Sequence, residues 1–271
     1  VVLDLRIKNL NMTIVEEIWQ EIISESEKKI SLEPESKNLF QEKVISFNNL
    51  EDALAAKLSN DLATKEFPAS DLKNKFAKVF SVSQNLDNVV EDLKAVNERD
   101  PASNGFVFTL LFSKGFAALQ AHRVANFYMN LEEEVFAFFI QSRSSTIYGV
   151  DIHPRAKIGQ GVMLDHATGI VIGETSVVEN DVSIFQGVTL GGTGKETGDR
   201  HPKVREGVLI SSGAKILGNV EIGKGAKVAA GSVVLSNVDS NTTVAGVPAL
   251  VVGKPTSEKP ATDVDHTIEE A

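Results

Sequence analysis

The sequence contains no cysteine and very few tyrosines and tryptophans, two and one among 271 residues. Disulfides and thiolate nucleophiles are therefore excluded, and the composition suits a reducing cytoplasm, where we expect the protein to be located. The strongest apolar run, residues 106–112, is far shorter than the roughly 20 residues of a membrane span. The charged segment 1–6 lacks the apolar core of a signal peptide. Lys and Arg number 27 against 37 Asp and Glu, without a basic stripe, so we expect neither nucleic acid nor membrane as a partner.

The most informative feature is an aliphatic residue at every sixth position through much of the second half, with two longer steps. A period of six fits neither an amphipathic helix nor an alternating strand, whereas hexapeptide repeats build parallel β-helices. Each coil is then a triangle of three hexapeptides whose aliphatic side chains stack inward on those of the next coil, so the coils stabilise one another. The inward positions are Ile152, Ile158, Leu164, Ile172, Val178, Ile184, Leu190, Val204, Ile210, Ile216, Ile222, Val228 and Val234.

Upstream of the repeats, the apolar spacing is that of helices. Residues 13–16, Thr-Ile-Val-Glu, form a capping box, and an amphipathic segment follows at 86–96. Two further helices are expected over 103–128 and 131–142. The predicted fold class is α+β, an N-terminal α-helical domain followed by a left-handed parallel β-helix of hexapeptide repeats. We expect an N-terminal domain of residues 1–146 for assembly, a β-helix domain of 147–254, and a flexible acidic tail of 255–271.

The two interruptions of the repeat carry polar, reactive residues. Insertions are tolerated in a β-helix only where they loop out between coils, because any other insertion would expose inward aliphatics. The first interruption, residues 164–171, contains His166. The second, residues 190–204, is rich in glycine and charge and contains His201. Their position at the breaks favours a chemical role for both histidines over a surface role.

At these interruptions the sequence resembles the serine O-acetyltransferase family. The pairing of the Asp-His-Ala-Thr-Gly string with the Gly-Asp-Arg-His-Pro loop is specific, whereas hexapeptides alone indicate only the acyltransferase superfamily. The likeness runs from about Arg99 to Pro255. The matching strings are Val150-Asp151-Ile152-His153-Pro154, Leu164-Asp165-His166-Ala167-Thr168-Gly169, Gly191-Gly192-Thr193-Gly194-Lys195, Gly198-Asp199-Arg200-His201-Pro202-Lys203 and Ala245-Gly246-Val247-Pro248-Ala249.

The resemblance implies transfer of acetyl from acetyl-CoA to the L-serine hydroxyl, giving O-acetylserine and CoA in the first step of cysteine biosynthesis. A hydroxyl that attacks a thioester needs a base, and an imidazole oriented by a carboxylate is suited to that task. His166 fills the position of the base in the family, and Asp151 that of the carboxylate. The thiolate leaving group can recover the proton from the imidazolium, so no acyl-enzyme is required.

The resemblance also implies the binding residues. Serine is a zwitterion, so its carboxylate needs a cationic partner and its ammonium an anionic one. Arg200 and His201 would bind the carboxylate, with Asp100 and Asp165 towards the amino end. Related enzymes hold CoA, the co-substrate, in a groove between two β-helices. The implied cofactor contacts here are Gly192, Thr193, Ser212, Ala230 and Lys254.

Assembly and regulation are further implications of the resemblance. Family members are hexamers, each a dimer of trimers joined through the N-terminal helices, and L-cysteine inhibits them by occupying the serine site. Many members end in isoleucine and insert that residue into O-acetylserine sulfhydrylase. This sequence ends in Glu269-Glu270-Ala271, and alanine offers much less apolar surface, so we expect weak or absent binding to the sulfhydrylase.

Two other functions remain open. An acetyltransferase of the same fold acting on a sugar or an antibiotic would keep the β-helix and the CoA groove but lack the Asp-Arg-His-Pro loop. A metal enzyme of the γ-carbonic anhydrase type is suggested by His153, His166 and His201. Their separations of 13 and 35 residues do not suit a zinc site, and we expect no metal.

Overall fold

The computed structural model describes residues 13–195 and 197–267, so the expectations for the start of the chain and for Ala271 lie outside the described residues. The chain divides into two compact units. One takes the chain up to Val90 together with Asn104–Phe112, and the other takes Glu91–Ser103 and the chain from Ser113 on. This division falls within the segment 1–146 of the predicted helical domain, because the last two long helices pack on the first strands.

The first unit is helical. Its capping box is confirmed, since the Thr13 hydroxyl accepts from the Glu16 N–H at 3.3 Å and the Glu16 carboxylate accepts from the Thr13 N–H at 2.7 Å. Its helices are α1 (Ile14–Leu32), α2 (Lys37–Phe40), α3 (Leu50–Leu62), α4 (Ala69–Phe80) and α6 (Phe106–Phe112), with a 3₁₀ turn at Pro34–Ser36, a π turn at Gln41–Ile45, and α5 (Ser83–Arg99) running on into the second unit.

The second unit contains α7 (Lys114–Asn130) and α8 (Glu134–Tyr148). The prediction of one helix over 103–128 is wrong, because the helix breaks at Ser113, whose hydroxyl accepts from the Phe116 N–H at 3.3 Å and caps α7. Helix α8 ends at Gly149 in the left-handed conformation, and the strands begin directly after it. Among the described helices, none is long and apolar enough to cross a membrane.

The strands form three parallel sheets, as the hexapeptide period predicts. Sheet A has the order β1-β4-β7-β10-β13, sheet B the order β11-β8-β5-β2, and sheet C the order β15-β14-β12-β9-β6-β3, with only the β14–β15 pair antiparallel. The strands are β1 (Val150–Ile152), β2 (Lys157–Ile158), β3 (Met163–Asp165), β4 (Ile170–Ile172), β5 (Val177–Val178), β6 (Ser183–Phe185), β7 (Thr189–Gly191), β8 (Lys203–Val204), β9 (Leu209–Ile210), β10 (Lys215–Leu217), β11 (Glu221–Ile222), β12 (Lys227–Val228), β13 (Val233–Val234), β14 (Thr243–Gly246) and β15 (Ala249–Gly253).

Each coil passes through sheets A, B and C in turn, so the chain turns corners that we name A/B and C/A after the sheets they join. The aliphatic register is confirmed: Leu164 pairs with Ile184 in sheet C, and Ile152 pairs with Ile172 in sheet A. All the inward positions lie in strands and are buried, apart from Ile158, which is half-buried at the edge of sheet B. Corners therefore recur at fixed positions in successive coils.

The C-terminal part of α5 is anchored to the first coils by a buried ion pair. Asp92 is fully buried and accepts from Arg123 Nη2 at 2.7 Å, from Gln120 Nε2 at 2.9 Å and from the Val162 N–H at 3.1 Å. Arg123 also donates to the Gly159 carbonyl at 2.7 Å. An apolar cluster completes the contact between α5 and sheet C: Ala95, Val96, Met163, Phe185 and Leu209, with Val264 against it.

The predicted flexible tail has defined contacts as far as Thr267. A short helix, α9 (Pro260–Asp263), buries Ala261, whose carbonyl accepts from the Ser183 hydroxyl at 2.7 Å. Further on, Lys227 Nζ donates to the Thr267 carbonyl at 2.5 Å. The composition of the tail did not indicate these contacts, because the tail is polar overall and only a few of its residues are buried.

The buried His122 on α7 allows the pH dependence of stability to be tested in the second unit. It is 5% exposed, its Nδ1 has no hydrogen-bond partner among the described residues, and burial lowers its pKa to about 3. The unfolded chain therefore binds a proton that folded His122 does not, and stability is lost as the pH falls from about 6.5 towards 3. We expect His122→Gln to reduce the slope of unfolding free energy against pH by up to about 1.4 kcal/mol per pH unit, measured by urea denaturation between pH 6 and 4.5.

Asn126→Ala is the matched control for His122→Gln. Asn126 lies one turn further along α7 and donates to the Pro154 carbonyl at 2.7 Å, but it does not titrate. Its loss should lower stability by a similar amount at every pH. Identical slopes for His122→Gln and the native protein would contradict the assignment.

Candidate active site

The proposed base lies at the C/A corner of the first coil. Strand β3 ends at Asp165, and the His166 side chain that follows is 73% exposed. The His166 N–H donates to Asp165 Oδ1 at 2.8 Å, and His166 Nε2 lies 3.8 Å from Asp165 Oδ2. An imidazole is thus presented to solvent beside a carboxylate.

Helix α7 holds this loop in an unusual backbone conformation. His166 and Ala167 have φ of 52° and 59°, in the left-handed region that side chains other than glycine rarely adopt. Ala167 is fully buried, and a Cβ built on Gly115 would overlap the Leu164 carbonyl oxygen. Lys114 Nζ donates to the Thr168 hydroxyl. Close approach of the helix start therefore fixes the loop and turns His166 outward.

Asp100 stands in the same unit as this loop, directly after α5. Arg99 is buried and donates to the Ser183 hydroxyl at 3.2 Å and to Asp181 Oδ1 at 3.3 Å, which fixes the end of the helix. Asp100 accepts from the Ala102 N–H at 2.8 Å. Burial raises the pKa of Asp165, the negative charge of Asp100 raises that pKa further, and His166 lowers it. Two carboxylates that repel each other favour a cation between them.

A second group lies at an A/B corner. The turn after β4 carries Glu174 and Thr175, and Glu174 Oε2 accepts from Arg200 Nη2 at 2.8 Å. The Thr175 hydroxyl accepts from the backbone N–H groups of Arg200 and His201 at 3.0 and 3.1 Å. His201 is 7% exposed, and burial lowers its pKa, with the charge of Arg200 acting in the same direction.

Asp151 lies on the outer face of β1 and accepts from Gln141 Nε2 at 2.6 Å. Among the described residues, no hydrogen bond joins Asp151 to His166, whose acidic contact is Asp165. Most of the sequence-predicted residues thus fall into two groups at different corners of the β-helix. One has Asp165 and His166 with Asp100 beside them, and the other has Arg200 and His201. Asp151, in the middle of β1, belongs to neither corner.

Four of the five predicted cofactor residues divide in the same way. Ser212 and Ala230 each stand two residues past an inward aliphatic, as His166 does, so they continue the C/A corner through later coils. The Gly231 N–H donates to the Ser212 carbonyl at 2.9 Å along this line. Gly192 and Thr193 instead follow β7 on the side of Arg200, and Lys254 follows β15 and is exposed.

Several residues at these corners were not singled out from the sequence. Gln186 lies on the C/A line between His166 and Ser212, and its Oε1 is buried without a partner among the described residues. Counting two positions past Ile184 would have found it. No periodic position in the sequence would have indicated Glu174 or Thr175. His266 of the tail contacts the Ser211 hydroxyl at 3.0 Å and packs edge-on against Phe185 with ring centroids 4.6 Å apart.

The histidines that suggested a zinc enzyme have separate hydrogen-bond partners. His153 follows β1, and its Nδ1 accepts from the Arg155 N–H at 3.1 Å. Within 13–195 and 197–267, no group of three or more His, Cys, Asp or Glu side chains is arranged to hold a metal ion.

A three-sheeted β-helix with a histidine and two acids at one corner defines a transferase of the hexapeptide class. Residues 201–236 match the family model described as bacterial transferase hexapeptide (six repeats), and residues 18–121 match that of the serine acetyltransferase N-terminal region. Serine acetyltransferase of Escherichia coli K12 is 48% identical over 253 residues, covering 93% of each chain. The chain belongs to the serine acetyltransferase family, and the predicted left-handed β-helix is confirmed.

Solved structures of serine acetyltransferases agree over nearly the whole chain. A complex with cysteine is 48% identical, with a TM-score of 0.90 over 93% of this chain and 98% of its own. The Brucella abortus S19 enzyme with coenzyme A is 45% identical, with a TM-score of 0.85 over 88% and 96%. The soybean enzyme with serine is 44% identical, with a TM-score of 0.87 over 89% and 100%.

Gly115→Ala tests the contact between α7 and the loop of the base. In an ordinary helix this change stabilises by about 1 kcal/mol. Here the new Cβ would meet the Leu164 backbone, so we expect a loss of about 1–3 kcal/mol in unfolding free energy. Ala117→Gly, two residues further along α7, is the control, and it should cost about 1 kcal/mol from helix propensity and about 0.8 kcal/mol more because Ala117 is fully buried. Stabilisation by Gly115→Ala in urea denaturation would rule out the close approach.

Proposed function

We propose that this chain transfers the acetyl group of acetyl-CoA to the hydroxyl of L-serine, with His166 as the general base. The observation that carries the proposal is the exposed imidazole of His166, held beside Asp165 and Asp100 at one corner of the β-helix in a member of this family. The products are O-acetylserine and CoA, in the first step of cysteine biosynthesis. Serine, cysteine and coenzyme A bound to related enzymes support the choice of ligands.

In the proposed reaction, the imidazole removes the proton of the serine hydroxyl as its oxygen forms a bond to the thioester carbon. The tetrahedral intermediate then collapses, the carbon–sulfur bond breaks, and the imidazolium returns the proton to the CoA sulfur. Asp151 orients the ring after the exposed His166 side chain turns towards it from Asp165. Asp151 has one carboxylate oxygen engaged by Gln141, which would hold it in place for this contact.

Asp100 and Asp165 bind the serine ammonium in this proposal, and Arg200 with His201 bind its carboxylate. These two groups lie at different corners of one β-helix, and four of the five cofactor residues are divided between the same corners. A complete site would form where the C/A corner of one copy meets the A/B corner of the next, as heterologous contacts in a ring allow. We therefore propose trimers with shared sites, paired into hexamers through the helical units.

The remaining assignments follow the same proposal. Cysteine competes with serine because it offers the same carboxylate and ammonium. Gly192, Thr193, Ser212, Ala230 and Lys254 contact acetyl-CoA, and no metal takes part. The cytoplasmic location and the doubtful complex with O-acetylserine sulfhydrylase stay predictions from the sequence.

His166→Ala should lower kcat by about two to four orders of magnitude, because a positioned base contributes that much. Asp151→Asn should lower kcat less, since it removes only the orienting charge, and Asp165→Asn should mainly raise the KM for serine. Thiol release from acetyl-CoA measures all three, with light scattering to verify that assembly is unchanged. A loss of less than threefold in His166→Ala would rule out the base. Preference for a sugar acceptor over serine in the native protein would favour the other acetyltransferase class.

Mixing His166→Ala chains with Arg200→Ala chains tests whether sites are shared between copies. Each variant keeps the corner that the other lacks, so mixed rings contain intact sites. We expect about a quarter of the native activity after random assembly of equal amounts, because one junction in four joins two intact corners. His166→Ala mixed with Asp165→Ala is the control and should give no more activity than the mean of the two unmixed variants, because both changes affect the same corner. Absence of recovery in mixed rings purified through two tags would show that each site lies within one chain.

A further inference from the structure

The His201 ring is fixed by one side chain that no sequence motif indicated, Thr175. The Thr175 backbone N–H lies 3.2 Å from His201 Nδ1, and the Thr175 hydroxyl oxygen lies 2.9 Å from the same nitrogen. The hydroxyl also accepts from the Arg200 N–H at 3.0 Å and from the His201 N–H at 3.1 Å. Four polar contacts therefore converge on one threonine.

Counting hydrogens and lone pairs limits the partners of the Thr175 hydroxyl. A threonine hydroxyl has one hydrogen and two lone pairs. The N–H groups of Arg200 and His201 occupy both lone pairs, so the hydroxyl hydrogen is left for an acceptor, either His201 Nδ1 at 2.9 Å or the Asp199 carboxylate, which also faces this hydroxyl. The Thr175 backbone N–H donates to His201 Nδ1 in either case. A proton on Nδ1 would face this donor, so the ring hydrogen of His201 lies on Nε2.

On the opposite edge of the ring, His201 Nε2 makes no hydrogen bond to any residue that the structure describes. This edge lies over Gly173, where a Cβ would overlap it. Burial is the largest cause of the lowered His201 pKa. The charges of Arg200, Lys203 and His153 lower this pKa further, and the negative charge of Glu174 raises it. Glu174 is itself paired with Arg200.

We propose that Thr175 is a positioning residue that holds His201 as a neutral imidazole with its hydrogen on Nε2, ready to donate to the carboxylate of serine. The role in serine binding rests on the proposed function, whereas the tautomer does not. Arg200 then supplies the positive charge, and His201 supplies a hydrogen bond that does not change with pH in the neutral range. Because Thr175 also binds the backbone of both residues, it sets their positions relative to each other.

Solid-state ¹⁵N NMR of the full chain labelled at histidine tests the tautomer, with His201→Gln used to assign the signals. At pH 7 we expect an unprotonated, hydrogen-bonded Nδ1 and a protonated Nε2 in His201. Thr175→Val removes the hydroxyl while keeping the shape, and it should give mixed tautomers and protonation of the ring at higher pH. Thr175→Ser should restore the native spectrum.

Kinetics test the role in serine binding separately. Thr175→Val should raise the KM for serine about tenfold, the effect of one hydrogen bond, with kcat within about twofold, and Thr175→Ser should reverse it. Thr242→Val is the control, since among the described residues its hydroxyl reaches only the Ser240 carbonyl, at another turn. A native His201 with its proton on Nδ1 would overturn the proposal even if Thr175→Val failed to fold. A correct tautomer in a protein that does not acetylate serine would instead refute the proposed function alone.

Discussion

Inward stacking of aliphatic side chains, one every six residues, is the constraint on which the other features depend. Burying each Leu, Ile or Val contributes about 1.5–3 kcal/mol, and only the correct register achieves this burial in every coil. Because the register is fixed, the residue two positions past each inward aliphatic of sheet C lies at the C/A corner. His166, Ser212 and Ala230 are aligned for this reason. The geometry of the candidate site is therefore a consequence of core packing.

The same periodicity explains why much of this fold could be predicted from the sequence. Any insertion must leave the core register intact, so the two longer steps had to loop out between coils, and the reactive residues within them had to lie outside the inward stack of aliphatic side chains. His166 and His201 were found in this way. The capping box at Thr13 is equally local, because it needs only residues three positions apart. Features set by a short spacing or a strict repeat can be inferred without knowledge of tertiary structure.

The contacts that position the site could not be inferred in this way, because they join residues far apart in sequence through loops of irregular length. Thr175 binds His201 across 26 residues, and Arg99 reaches Ser183 across 84. Neither partner occupies a periodic position that would indicate the other. The break at Ser113 was missed for a related reason, since apolar residues continue on both sides of the short stretch Ser113-Lys114-Gly115, and a cap by the Ser113 hydroxyl is what starts a new helix there. The division of the site between two corners likewise follows from the topology of the coils.

Burial separates the two histidines of the candidate site into different chemical roles. The His166 ring is 73% exposed, so it can exchange a proton with a bound hydroxyl without the cost of charging a buried group. His201 is 7% exposed and has Nδ1 engaged by the Thr175 backbone N–H, so gaining a charge would require both burial of that charge and loss of this hydrogen bond. One imidazole is thereby suited to proton transfer and the other to fixed hydrogen-bond donation. In the proposed reaction, a carboxylate bound by a neutral donor beside Arg200 would keep its partners while the base changes its protonation state, so substrate binding and proton transfer would not interfere.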